Sequence, residues 1–354
     1  MTTDTGAAGR GVADSSAPAA AGAPREVVLA VDGGGSKTDV IVVGLDGEFV
    51  AHARGPGSNP QVLGLDTALG ILNDLRATAL DGLDVRVART HVYLSGLDLP
   101  AEIVTATEAL AQWHADVIDN DLFALLRGGL HDGPDREQDA VAVICGTGIN
   151  AIGVRHDGAT ARFPALGDIS GDWGGGSFLG GRALWHAARA EDGRGPASML
   201  QRLVPAALGL STVREVTEAL HFGRLEGRVV SLLSPVLFEA SSLGDAVAQG
   251  VVDQQAAEIV TLVATALTRL ELLDVPVPVV LGGGVLAARD ERLFAGIHAG
   301  LAERAPLART HVVTVPPLLG AGLLALEGAG ADAAALTRFR DEVLAQSWLP
   351  VGVR

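Results

Sequence analysis

The sequence is poor in the residues that mark several common classes of protein. Its 354 residues include one cysteine, Cys145, which excludes an internal disulfide framework and an all-cysteine zinc or iron–sulfur site within one chain. Aromatic residues make up 4% and do not alternate with basic residues, so stacking on single-stranded nucleic acid has no support. No uninterrupted apolar stretch reaches the ~18 residues of a membrane span, and we expect no membrane partner.

Positive charge is also scarce. Lysine and arginine number 26 against 42 aspartates and glutamates, which gives a formal net charge of −16. This sign opposes binding to phosphodiester backbones, so we expect no nucleic-acid partner. Residues 1–25 are rich in Ala, Gly, Ser, Thr and Pro without an apolar run, which predicts a disordered tail and not a secretion signal. With a single cysteine and no such signal, a cytoplasmic location is expected.

The rest of the chain has the pattern of an α/β protein. After Glu26, "VVLAVDGGG" and "VIVVGLDGEFVAH" predict a three-stranded meander, and "DAVAVICGTGINAIGVRHDGATARF" repeats that order in the second half. Helices are expected over Leu65–Leu80 and Ala101–Trp113, and a strand over "THVVTVPP". We therefore predict two lobes of repeated βββαβα units, 26–135 and 136–354, facing each other across a cleft. The second carries a helical insertion, and the last helix packs back on the first lobe.

Three glycine-rich turns follow predicted strands. "DGGGSKT" at 32–38 is not a P-loop, because Ala30 and Ser36 stand where that motif needs glycine. "CGTG" at 145–148 begins a dinucleotide fingerprint, but a hairpin follows in place of the helix that would hold a pyrophosphate. We interpret both as hairpins that hold phosphates from two sides, the alternative being ordinary glycine turns. "LGGGV" at 281–285 would let adenosine lie on the backbone, or is only a helix-entry turn. Together the three turns favour an ATP site.

Four aspartates stand where phosphoryl transfer would need them. Asp32 ends the first strand, where a carboxylate could hold Mg²⁺ through water, although aspartate before glycine is also common in turns. Asp121 lies between a strand end and a helix start, a position suited to a general base. Its alternative role is that of a helix N-cap, which the two residues before it could fill equally. Asp168 and Asp172 lie in a glycine-rich stretch suited to close ligand approach, or form Asx turns.

A series of motifs resembles the BadF/BadG/BcrA/BcrD ATPase-like family, which includes N-acetylglucosamine kinases and belongs with acetate kinase, sugar kinases, heat-shock 70 proteins and actin. The resemblance covers about Glu26 to Glu327 and implies two actin-like, ribonuclease H-like lobes around an ATP cleft. In chain order, the motifs are "VDGGGSKTDV", "GSNPQVLG", "LSGLD", "DNDLFALLRGG", "ICGTGINAIG", "GDWGGG", "VVLGGGV" and "LLGAGLLAL".

The same resemblance implies a role for each motif, with ATP and Mg²⁺ as cofactors. Asp121 matches the catalytic aspartate, and Asp32 would hold the metal through water. The phosphate-binding set is Gly34, Gly35, Ser36, Lys37, Thr38, Gly146, Thr147 and Gly148. The adenosine-binding set is Gly282, Gly283 and Gly284, and the sugar-binding set is Asn59, Ser95, Gly96, Asp98, Asn120 and Asp172. Relatives often have G-D-E-G-S where this chain has "GDWGG" at 171–175, which leaves the substrate open.

The resemblance implies a kinase that moves the γ-phosphate of ATP to the 6-hydroxyl of N-acetylglucosamine, and we expect a homodimer. Glucosamine, N-acetylmuramic acid and glucose are the alternative acceptors, and the lack of a basic cluster near the sugar motifs opposes the acid. A BadF-type ATPase that shares a [4Fe–4S] cluster across a dimer would need four thiolates, and two copies of this chain supply two. A nucleotide-gated regulator is the remaining alternative.

Overall fold

The structure is a computed structural model that describes residues 24–132 and 136–346. The predicted tail lies almost entirely outside the described residues, as does the predicted lobe boundary at 135. Within these two ranges, ten strands form two five-stranded sheets. The strands are β1 (Arg25–Gly33), β2 (Lys37–Gly44), β3 (Phe49–Pro56), β4 (Val85–Leu94), β5 (Val117–Asn120), β6 (Ala140–Cys145), β7 (Ile149–Val154), β8 (Thr160–Arg162), β9 (Val277–Gly282) and β10 (Ala308–Val312).

The two sheets have the same topology. The first has the order β3-β2-β1-β4-β5 and the second the order β8-β7-β6-β9-β10, so each joins an antiparallel meander to two parallel strands. The central strands are runs of Val, Ile, Leu and Ala that are buried on both faces, as parallel strands covered by helices require. The predicted α/β class and the repeated unit are confirmed.

Helices cover both faces of each sheet. They are α1 (Pro60–Leu63), α2 (Leu65–Leu80), α3 (Pro100–Ala109), α4 (Leu122–Gly129), α5 (Gly176–Glu191), α6 (Leu200–Ala207), α7 (Val213–His221), α8 (Ser234–Ser242), α9 (Ala246–Arg269), α10 (Gly284–Ala287), α11 (Glu291–Arg304), α12 (Pro317–Gly328) and α13 (Ala333–Leu344). No single helix in the described ranges is long and apolar enough to cross a membrane; one pair, Gly227–Ser242 with Ala246–Arg269, reaches the required length and composition only across a bend of 113°.

Two of the predicted elements have different bounds in the structure. The helix expected over Ala101–Trp113 ends at Ala109, and a short 3₁₀ turn over Ala111–Trp113 follows it. The strand expected over "THVVTVPP" is wrong in its second half, because β10 ends at Val312. Pro317 occupies the first position of α12, where a missing N–H is tolerated, so the proline pair begins a helix and cannot extend the strand.

The C-terminal helices α12 and α13 pack on the first sheet, although the second sheet precedes them in the chain. Phe339 and Leu323 are fully buried in one cluster with Val28 and Ile41 of that sheet. Helix α12 also crosses α4 backbone to backbone, since a Cβ atom at Gly320 would lie 1.8 Å from the Ala124 carbonyl oxygen. The C-terminal helices therefore supply one wall of the core of the first lobe.

Candidate active site

The first glycine turn joins β1 to β2 as a tight hairpin. The Gly34 N–H donates to the Lys37 carbonyl at 2.8 Å, and Gly35 and Ser36 are exposed at the tip. The chain after β3 passes so close that a Cβ atom at Gly57 would lie 2.3 Å from the Gly35 carbonyl oxygen. The structure differs from the expectation at Thr38, which is fully buried and donates its hydroxyl to Ser58 at 2.8 Å. The buried Thr38 hydroxyl thus stabilises the turn through its bond to Ser58, whereas Ser36 and Lys37 lie nearer to solvent.

Asp32 is the last residue but one of β1, directly before this turn, and is almost completely buried. Burial raises the pKa of Asp32 to about 6, while the charge of Lys37 lowers it and the charge of Asp39 raises it. Mg²⁺ in kinase sites is commonly held by one or two carboxylates, with waters and substrate phosphates as the other ligands. The described residues contain no group of three or more His, Cys, Asp or Glu that could hold a metal ion by themselves. Asp32 therefore fits a site in which one carboxylate shares Mg²⁺ with waters and substrate phosphates.

The second and third glycine turns lie against each other in the second lobe. A Cβ atom at Gly283, whose φ is +90°, would lie 2.5 Å from the Cys145 carbonyl carbon, so the β9–α10 turn touches the β6–β7 turn. The first N–H groups of α5 also dock there: Gly176 donates to the Gly146 carbonyl at 2.7 Å and Ser177 to the Thr147 carbonyl at 3.0 Å. Thr147 and Gly148 remain exposed at the tip, while Gly282 is buried against Leu125. The structure thus brings together the two predicted nucleotide turns of this lobe.

Asp121 occupies the N-cap position of α4, yet it makes no side-chain capping bond within the described residues. The cap is supplied by Asn120, whose Oδ1 accepts the Leu122 N–H at 3.0 Å. Burial and the nearby carboxylates of Asp32 and Asp98 raise the pKa of Asp121 to about 8. A carboxyl group whose pKa is raised by burial and by two neighbouring carboxylates is typical of a functional position. The capping bond to the first turn of α4 is thus made by Asn120 and not by the Asp121 side chain.

Asp98 is the centre of the predicted sugar site. Its Oδ1 accepts the side-chain N–H groups of Asn120 at 2.9 Å and Asn150 at 2.8 Å, and its Oδ2 accepts Gln61 at 3.2 Å. Burial and the nearby carboxylate of Glu102 raise the pKa of Asp98 to about 7, while the bonds from Gln61 and Asn120 lower it. Asn120 belongs to the first lobe and Asn150 to β7 of the second, so Asp98 is held from both sides of the cleft.

Of the other predicted sugar ligands, Ser95, Gly96 and Asn59 lie together in the first lobe, and Asp172 lies in the second. Ser95 and Gly96 follow β4, and Gly96 lies so close to Asn59 that its Cβ atom would be 2.5 Å from the amide oxygen. That oxygen caps α1 by accepting the Gln61 N–H at 2.8 Å. The Ser95 hydroxyl is buried and has no hydrogen-bond partner among residues 24–132 and 136–346, which suits a ligand contact.

Asp172 and Asp168 lie in the turn before α5. The Asp172 carboxylate accepts the Ser170 hydroxyl at 2.6 Å and the Gly167 N–H at 2.9 Å, and its charge raises the pKa of Asp98. Asp168 is exposed in a 3₁₀ turn. Trp173 packs on Phe178 with a ring separation of 4.8 Å and contacts the core of the second lobe. Asp172 therefore belongs with the Asp98 group, and Trp173 helps to anchor α5.

The lobes meet around a small cavity of about 10 Å³, enough for one water. Asp98, Asn120 and Asn150 line it together with Arg162 of β8. Arg162 donates both terminal N–H groups to Asp119 of β5, at 2.6 and 2.7 Å, which closes the lobes over the cavity. A sugar ring needs far more room, so the lobes must separate to admit one.

Sequence reasoning missed Asn150, Gln61 and Arg162. The first two lie inside quoted motifs, Asn150 in "ICGTGINAIG" and Gln61 in "GSNPQVLG", and their polar side chains within those motifs are a signal that could have found them. Arg162 carries no such signal, because its partner Asp119 lies 43 residues away in the other lobe. Cys145 is fully buried, and burial raises the pKa of its thiol to about 12, as expected of a packing residue.

Comparison with known proteins adds to this geometry. Residues 29–325 match the BadF/BadG/BcrA/BcrD ATPase family. The chain is 27% identical over 318 residues to the N-acetyl-D-glucosamine kinase of Dictyostelium discoideum, covering 85% of this chain and 98% of the relative. It is 24% identical over 266 residues to the N-acetylmuramic acid/N-acetylglucosamine kinase of Clostridium acetobutylicum, covering 73% of this chain and 85% of the relative.

Solved structures share the fold. One from Chromobacterium violaceum, assigned as an N-acetylglucosamine kinase, aligns with a TM-score of 0.64 at 23% identity over 86% of this chain and 99% of its own. A ROK family glucokinase from Streptomyces griseus, in complex with glucose and AMPPNP, aligns with a TM-score of 0.52 at 18% identity over 85% of this chain and all of its own. At these identities the likeness concerns the fold alone.

Proposed function

Because the chain belongs to the BadF/BadG/BcrA/BcrD ATPase family, we propose that it is an ATP-dependent kinase for an amino sugar, with N-acetylglucosamine as acceptor and the 6-hydroxyl as the phosphorylated group. Two curated relatives named as kinases of N-acetylated amino sugars, aligned over 85% and 73% of this chain, support the substrate class. The observation that carries the proposal is Asp121, a half-buried carboxyl group at the start of α4 that lies within electrostatic reach of both the metal-type aspartate Asp32 and the sugar-type aspartate Asp98, which raise its pKa.

In this mechanism, the sugar lies against Asp98 and donates hydrogen bonds from its hydroxyl groups to the Asp98 carboxylate. Asn120 and Asn150 hold that carboxylate in place. The Asp121 carboxylate accepts the proton of the reacting sugar hydroxyl. At the same time the hydroxyl oxygen forms a bond to the γ-phosphorus, and the bond from that phosphorus to the leaving ADP oxygen breaks. Backbone N–H groups of the glycine turns and the Lys37 ammonium would donate hydrogen bonds to the phosphate oxygens and stabilise their negative charge. Mg²⁺, when bound near Asp32, would neutralise further charge on the phosphates. Closure of the lobes around the bound sugar would keep water out.

The experiment is a panel of acceptors with ADP release as readout. We expect the highest kcat/KM with N-acetylglucosamine, because a site that hydrogen-bonds an amide rejects a sugar lacking it by a large factor. Glucosamine, N-acetylmannosamine, glucose and N-acetylmuramic acid complete the panel. If glucose or glucosamine equals N-acetylglucosamine, the substrate assignment is wrong and the kinase assignment stands. If no sugar releases ADP, the kinase assignment is wrong.

We also propose that the enzyme works as a cytoplasmic homodimer with Mg·ATP as its nucleotide. Exposed apolar side chains at Trp185, Phe222 and Leu232 on the helical insertion support a contact between copies. Light scattering of the purified chain tests the dimer. Nucleotide binding is tested by thermal shift, since a ligand at 100 times its Kd stabilises by ~2.7 kcal/mol. No shift with millimolar ATP and Mg²⁺ would oppose the nucleotide assignment.

A further inference from the structure

A row of charged side chains lies on one face of the first sheet beside the first glycine turn. Asp32 pairs directly with Asp39 across β1 and β2, and Asp39 pairs with Arg54 across β2 and β3. Side chains alternate between the faces of a sheet, so Lys37 and His52, each two residues from a member of this row, lie on the same face. We call Lys37, Asp39, His52 and Arg54 the Asp39 cluster.

The Asp39 carboxylate is completely buried, and both of its oxygens contact cationic or titratable groups. Oδ1 accepts Arg54 Nε at 2.6 Å and contacts His52 Nε2 at 2.7 Å. Oδ2 accepts Lys37 Nζ at 2.5 Å and Arg54 Nη2 at 3.2 Å. Burial alone would raise the pKa of Asp39, but the bonds from His52 and Arg54 and the charge of Lys37 hold it well below its usual value. Asp39 is therefore a buried anion.

The bonds to Asp39 are arranged so that Lys37 can leave. Without Lys37, the carboxylate keeps both bonds from Arg54 and the contact with His52, so no buried charge is left unpaired. The Lys37 side chain is 42% exposed and is the only one of the three partners that belongs to the glycine turn. Its exchange from Asp39 to another anion is thus the least costly change in the cluster.

Holding Lys37 in this position has a second effect. A free lysine side chain loses rotamer freedom when it binds a phosphate, whereas one already held at the glycine turn by Asp39 has lost most of that freedom before its ammonium moves from the carboxylate to the phosphate. Asp39 is also the direct cross-strand partner of Asp32, so the ammonium that it holds lies beside the strand end at which the phosphates are proposed to bind.

We propose that Asp39 is a positioning residue that holds the Lys37 ammonium at the first glycine turn and releases it to the β- or γ-phosphate of ATP. Asp39 does not touch the nucleotide, and His52 and Arg54 keep it ionised and paired after the transfer. The inference rests on the proposed kinase function, since it needs ATP as the ligand of this turn.

The test separates the KM for ATP from the KM for N-acetylglucosamine in the full chain. We expect Asp39→Asn and Lys37→Met each to raise the KM for ATP about ten- to hundredfold, the range for losing a charge-assisted hydrogen bond, with the KM for the sugar unchanged within about twofold. The double variant should be no worse than Lys37→Met alone, because Asp39 acts through Lys37.

Asp46→Asn is the matched control. Asp46 lies in the turn at the other end of β2 and also bonds arginines, Arg25 at 2.9 Å and Arg338 at 2.8 Å. Its loss should leave both KM values unchanged. If Asp39→Asn does not fold, Asp39→Glu replaces it, since the longer stem keeps the charge but displaces the ammonium; the KM for ATP should rise at a near wild-type Tm.

Two results would overturn the inference: a folded Asp39 variant whose KM for ATP stays within twofold of wild type, or a double variant whose effect equals the product of the single effects. Absence of turnover in the wild-type chain would refute the kinase assignment alone. Calorimetric titration with ATP would then decide the Asp39 inference through the same variants, with Kd in place of KM.

Discussion

The replacement Asp121→Asn should abolish most activity and at the same time stabilise the fold. The folded chain raises the pKa of this carboxyl from 3.8 to about 8, so between these values the native state binds more protons than the unfolded chain. Stability of the wild-type chain therefore falls as pH rises from 4 to 8. Asparagine does not titrate, and α4 is capped by Asn120, so the change leaves the helix start intact.

The magnitude follows from this window. Each pH unit within it removes about 1.4 kcal/mol from the free energy of unfolding, so ionisation of Asp121 costs at most about 4 kcal/mol at pH 7. Asp121 as a residue is only half-buried, so solvent screens part of this cost, and we expect about half of that value. The variant should thus gain about 2 kcal/mol over wild type at pH 7 and almost nothing at pH 4.

Two assays test the prediction. Urea denaturation at pH 4, 5, 6, 7 and 8 gives the free energy of unfolding of wild type, Asp121→Asn and the control Asp74→Asn, which alters an exposed aspartate on α2. ADP release gives kcat, which should fall by about 10² to 10⁴ in the Asp121 variant, as expected for loss of a general base. In the wild-type chain, kcat/KM should rise with pH toward 8. A variant with near wild-type kcat, or with the pH dependence of stability of wild type, would refute the reasoning.

Three further changes test other parts of the structure. Cys145→Ala should keep activity within a few-fold, because the buried thiol packs and does not react; loss of several orders of magnitude in a folded variant would contradict this. Ser95→Ala should raise the KM for the sugar several-fold at an unchanged Tm, because the Ser95 hydroxyl has no partner among the described residues; an unchanged KM would remove Ser95 from the site. Phe339→Ala should lower the free energy of unfolding by about 3–5 kcal/mol in urea, since the ring is fully buried on the first sheet; a loss below about 1 kcal/mol would show that the site collapses around the cavity.

The sequence predicted the local features well, because they depend on neighbouring residues. Glycine followed by alternating Val and Ile residues identified the hairpin at "DGGGSKT", and the helix over Leu65–Leu80 has the predicted bounds. The family expected from the order of the motifs is confirmed by the match over residues 29–325. The strand near the C terminus was predicted too long because β-branched residues outweighed the proline pair that begins α12.

Contacts between distant segments could not be predicted in this way. The burial of Thr38 depends on Ser58, which lies 20 residues away on the chain after β3. The bond from Asn150 to Asp98 and the ion pair of Arg162 with Asp119 join the two lobes, and hydrophobic periodicity contains no information about them. Asp39 was overlooked for the same reason, since a charged residue inside a strand acquires meaning only through its cross-strand partners.

The position of α12 and α13 has a consequence for biosynthesis. A ribosome releases the strands of the first lobe long before the helices that cover one face of its sheet, so Val28, Ala30 and Ile41 remain without their native cover until about 300 further residues have been made. The first lobe therefore completes its fold only after α12 and α13 have been made, through contacts of very high sequence separation. A chain truncated before Pro317 would expose this apolar sheet face to chaperones and to aggregation.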